Sequence, residues 1–75
     1  MDETKAWAEK IMVLFDLMPE NFRLGAHENE AIIFDYWAGI IGVRALDQAM
    51  IISDPERLRN FLIERRGNGE ETRNN

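Results

Sequence analysis

The chain has 75 residues, no cysteine and one histidine, His27, so neither a disulfide nor a structural zinc site can brace it. A domain this short buries only about 60% of the surface its unfolded form exposes, which leaves self-association as the remaining support. Hydrophobic residues make up 45% of the chain, enough for one core, and the net charge of −5 argues against a surface that tracks phosphates.

Residues 3–18 read as a helix. Trp7, Ile11, Leu14, Phe15 and Met18 recur at helical intervals, with Asp2, Lys5, Glu9 and Asp16 on the opposite side and Pro19 ending the run. Met12, Val13 and Leu17 flank the polar strip, so the apolar arc is wider than one packed face requires. The stretch from 20 to 30 has no sustained period: Asn21–Leu24 reads as a short edge strand, and Gly25–Glu30 as a loop.

From Ala31 the composition turns β-branched and aromatic, IIFDYWAGIIGV, and Gly39 and Gly42 would each weaken a helix interior by roughly 1 kcal/mol. The expectation is a β-hairpin with a two-residue turn at Gly39 and Ile40. That register sets Asp35 against Arg44, Trp37 against Gly42 and Ile33 against Leu46 on one face, with Phe34 against Ala45 and Tyr36 against Val43 on the other. A third strand is expected near Ala49–Ser53, the alternative being a short helix over 43–50.

Ser53-Asp54-Pro55-Glu56 marks the clearest boundary, since Asp54 suits an N-cap and proline suits the first helical position. A helix is expected from 55 to about 66, with Leu58, Phe61 and Leu62 inward, Arg65 and Arg66 in its last turn, and Gly67 as its stop. The whole reads as one α+β domain over 1–66: an N-terminal helix, an antiparallel sheet of about three strands and a C-terminal helix on the same sheet face. Residues 67–75 read as a disordered polar tail. An all-helical bundle with 31–50 as one long helix is the alternative, disfavoured by the glycines and the β-branched run.

Nothing in the sequence points to catalysis, a metal or a cofactor. His27 lies in the expected loop beside Glu28 and Glu30, Asp16 falls on a polar strip, and Asp35 has Arg44 as a cross-strand partner. Gly39-Ile-Ile-Gly42 has the spacing of RNA-clamping loops but no basic company, and the phosphate-loop pattern of glycines with Lys-Ser/Thr is missing. No basic region followed by an apolar stretch opens the chain, and Asp35, Arg44 and Asp47 interrupt its most apolar segment, so the expected location is the cytoplasm, without membrane contact.

The strongest signal is surplus apolar surface. If one sheet face packs under the helices, the other shows Ile33, Trp37, Leu46 and Ile51, with Asp35 and Arg44 among them; if the register slips by one residue, the same side chains are plain core. The expected function is therefore a small acidic protein-binding module, a regulator, inhibitor or accessory protein, acting through that sheet face as a homodimer. The acidity that would tune such binding belongs to residues 1–36, with eight acids against three bases, whereas 37–75 hold six of each. The alternative is a nucleic-acid-binding regulator that uses Arg57, Arg59, Arg65 and Arg66 on the C-terminal helix.

Overall fold

A computed structural model describes the backbone of residues 3–27 and 29–74, and the side chains of residues 3–27 and 29–67. The described residues form five helices and no strand: α1 (Glu3–Asp16), α2 (Glu20–Ala26), α3 (Glu30–Ile41), α4 (Val43–Met50) and α5 (Pro55–Asn74). The α+β fold expected from the sequence is thus overturned. The hairpin segment is helical throughout, the edge strand at Asn21–Leu24 lies inside α2, and the third strand at 49–53 is the end of α4 and the turn that follows it.

Packing explains the correction. In α3, Ile33 and Trp37 stand four residues apart and are both buried, 2% and 0% exposed, while Ile40 and Ile41 continue the same face half-buried. β-branched residues cost a helix only tenths of a kcal/mol each, which burying one such stripe against α1 and α5 outweighs. Gly39 lies on the exposed side of α3, where a helix tolerates it. Gly42 is the true break: with φ 90° and ψ 155° it closes α3 and opens α4, and its N–H donates to the Ala38 carbonyl at 2.9 Å. The single long helix over 31–50 is therefore two, and the shorter one coincides with the 43–50 alternative.

The core gathers Leu14 of α1, Met18 after it, Ala26 of α2, Ile33 and Trp37 of α3, Leu46 and Ala49 of α4, and Leu58 and Leu62 of α5. The chain's turns are held by side chains that satisfy backbone carbonyls left over at helix ends. At the end of α1, the Val13 and Phe15 carbonyls accept from the N–H groups of Leu17 and Met18. The Leu14 carbonyl accepts from Trp37 Nε1 at 2.8 Å, and that of Leu17 from Arg66 Nη1 at 2.7 Å. Lys10 Nζ donates likewise to the Met50 carbonyl at the end of α4.

The N-caps follow ordinary chemistry. The Asn29 side chain accepts from the Ile32 N–H at 3.3 Å, and the Asp54 carboxylate accepts from the Arg57 N–H at 3.0 Å, the cap expected before Pro55. Helix α5 continues through Gly67, where a stop was expected. Apart from Gly67 and the α5 backbone, the tail read as disordered, 67–75, lies outside the described residues.

Candidate protein-binding groove

Helix α1 packs Leu14 wholly into the core and half-buries Ile11, Val13 and Phe15 against it, yet its apolar arc extends beyond that contact to Trp7, Ala8 and Met12. Thr4, Ala8, Ile11 and Phe15 recur at intervals of four, three and four residues, which is the spacing of a coiled-coil seam. Trp7 flanks this seam on the core side and Met12 on the solvent side; they are 43% and 55% exposed. Lys5, Glu9 and Asp16 form the narrow polar strip beyond Met12, all exposed.

The seam forms one wall of an open groove of ≈860 Å³. The opposite wall is His27, Asn29, Glu30 and Ile33, at the turn from α2 into α3. Three contacts set its rim. Trp7 Nε1 donates to Glu30 Oε1 at 2.8 Å, and the Trp7 ring lies 5.9 Å from that of Phe34, so this half-exposed indole is held in place. The His27 ring meets Phe15 edge-on, with centroids 6.4 Å apart. Past Phe15 and His27 the concavity continues into a hollow of ≈560 Å³ that also involves Glu20, Arg23 and Leu24, the last 78% exposed. On the other side of Ala8 and Met12 lies a shallow hollow bordered by Lys5, Glu9 and Pro55.

The residues expected to form a binding face are not brought together. Ile33, Trp37 and Leu46 are core, the last 7% exposed, while Asp35 and Arg44 stand exposed on separate helices, with no ion pair between them. Ile51 sits 80% exposed in the turn after α4. The cross-strand face that was to display these six depended on a sheet, and a helical chain disperses it. The one sequence signal for the actual groove was the excess width of the α1 apolar arc, with Met12 on its flank. Its far wall depends on α2 folding back, which periodicity does not show.

Chemically, the site offers apolar contact with a little polarity at its edge. His27, Asp16 and Asp35 are exposed, and among the described residues no group of three or more His, Asp or Glu converges to hold a metal. No helix of the described residues is long and apolar enough to cross a membrane. Compared with protein-family models, curated proteins and solved structures, the chain matches none.

Proposed function

We propose that the chain is a small protein-binding module, working by contact rather than catalysis in the cytoplasm, and that its contact surface is the groove beside α1. The observation that carries this is the seam Thr4–Ala8–Ile11–Phe15, at coiled-coil spacing and bordered by an exposed Met12 and Trp7, lining an open groove between α1 and the turn from α2 into α3, with Ile11 and Phe15 half-buried at its floor. A contiguous apolar groove of this kind is what an amphipathic helix fills with its i, i+3, i+4 and i+7 side chains. From Thr4 to Phe15 the seam runs about 16 Å at 1.5 Å per residue, room for three turns of a partner helix.

The alternative, nucleic-acid recognition by α5, has less behind it. Of the four arginines on which that reading rests, Arg66 is committed to the Leu17 carbonyl and lies over the Trp37 ring at 5.7 Å, and Arg65 lies over Phe61 at 5.2 Å. Arg57 and Arg59 remain, beside Glu56, a thin footprint for a phosphate backbone.

The test is site-specific photocrosslinking in an extract of the native cells, with a benzophenone side chain at position 8, 12 or 15 and, as a control, at the exposed Val43. Adducts from the three groove positions should fall within one amphipathic helical segment, whichever chain supplies it, and be missing from position 43. No protein adduct from the groove, or the same adducts from position 43, overturns the proposal.

A further inference from the structure

Resting on that reading of the groove, we infer that its occupant is α1 of a second copy of this chain, packed antiparallel about a two-fold axis that passes between the two helices level with Glu9 and Lys10. The seam reads small, small, large, large: Thr4, Ala8, Ile11, Phe15. Reversed against itself, it sets Thr4 opposite Phe15 and Ala8 opposite Ile11, so every layer pairs a small side chain with a large one and the layers interdigitate at interior density. Parallel pairing sets Phe15 on Phe15 and Ala8 on Ala8, a clash above a hole. The antiparallel arrangement is also isologous, so it closes as a dimer and cannot propagate into a fibre.

Charge selects the same orientation. Lys5 and Asp16 lie at opposite ends of α1 on its solvent edge, both exposed. Antiparallel pairing brings the flexible Lys5 of one copy alongside Asp16 of the other, twice by symmetry. Parallel pairing sets lysine beside lysine and aspartate beside aspartate. The two Glu9 carboxylates lie on the same exposed strip at the level of the axis, where solvent screens their repulsion. Lys10 takes no part, because its ammonium is held by the Met50 carbonyl. The contact is confined to α1 and the rim at His27, Glu30 and Leu24, toward the small end of specific interfaces. The expected dimer is accordingly a weak one, with a dissociation constant on the order of micromolar.

Sedimentation equilibrium of the full chain, over a concentration series spanning that range, tests the inference with four variants. Ala8→Glu places a charge in the seam without disturbing the helix, and circular dichroism verifies that the fold persists. Lys5→Glu and Asp16→Lys each create like-charge contacts across the axis, and Lys5→Glu/Asp16→Lys restores both pairs with signs exchanged. A dimer in the parent chain, loss of it in Ala8→Glu, about tenfold weaker association in each single charge variant and recovery in the double variant are the expected results. A parent chain that stays monomeric throughout removes the second copy as occupant, yet leaves the groove reading to stand or fall on whether position 12 crosslinks to a different protein. A dimer indifferent to Ala8→Glu lies elsewhere and overturns the inference. So does a double variant as weak as the singles, since antiparallel register requires the rescue.

Discussion

Trp37 Nε1 donates to the Leu14 carbonyl at 2.8 Å, so the centre of α3 is bonded to the last turn of α1 by a side chain with no exposed surface. Leu14 O is one of the four carbonyls a helix leaves without an internal partner, and in this position water does not reach it. Trp37→Phe keeps an aromatic ring in the core but strands that oxygen. The expected loss is about 1–3 kcal/mol, the cost of an unsatisfied buried acceptor, and Trp37→Ala should cost about 3–5 kcal/mol because a cavity is added. Urea unfolding followed by far-UV circular dichroism separates the two; a Trp37→Phe variant as stable as the parent chain would mean that the hydrogen bond contributes nothing.

Arg66 acts on a carbonyl just past the end of α1. Its Nη1 lies 2.7 Å from Leu17 O and its guanidinium stacks over the outer face of Trp37, so one side chain joins α5 to both α1 and α3. Arg66→Met keeps the apolar stem and removes both interactions. A hydrogen bond from a charged donor contributes about 1.5–3 kcal/mol when buried, and half-exposure reduces this to about 1 kcal/mol. The expected signature is a lower urea midpoint for Arg66→Met, with Arg65→Met, whose side chain is exposed over Phe61, nearly unchanged. An equal effect of the two would show that general charge, not this contact, matters.

Helix α1 and the start of α5 were legible because their signals are local: a 3.6-residue apolar period closed by Pro19, and an Asp-Pro cap. The middle was misread because Ile32, Ile33, Phe34, Tyr36 and Trp37 carry β-branched and aromatic propensity, and propensity is a term of tenths of a kcal/mol that tertiary burial overrides. The deciding feature, Ile33 and Trp37 four residues apart and both inward, suits a helix, but Asp35 between them also suits a strand with alternating faces. The binding face inherited that error. Alternation put Ile33, Trp37 and Leu46 outward, whereas the helical period puts them at the centre of the core. The groove's near wall was foreshadowed by Met12, while its far wall required knowing how α2 turns, which no local pattern encodes.

The two glycines once assigned to a hairpin now have opposite expected responses. Gly39 is helical with open space where a side chain would project, so Gly39→Ala should stabilise by about 1 kcal/mol through propensity and a stiffer unfolded chain. Gly42 also has open space, but its φ of 90° and ψ of 155° lie in a region essentially reserved for glycine. Gly42→Ala should therefore cost about 1–3 kcal/mol by forcing the α3–α4 junction to strain or shift. Thermal melts of the two variants moving in the same direction would contradict the break between α3 and α4.

Ile33 and Ile51 make the sharpest contrast between a sheet and a helical bundle, since a sheet face would show both to solvent together. In the bundle Ile33 is 2% exposed among Leu14, Trp37 and Leu62, and Ile51 is 80% exposed in the turn after α4. Ile33→Ala is expected to cost about 2–5 kcal/mol as a cavity-forming core truncation, enough to unfold much of a domain this size. Ile51→Ala should stay within about 0.5 kcal/mol of the parent chain, as surface substitutions usually do. Chemical denaturation measures both. Equal and small effects would return Ile33 to the surface and with it the sheet, and equal and large ones would bury the turn that the helical chain leaves in water.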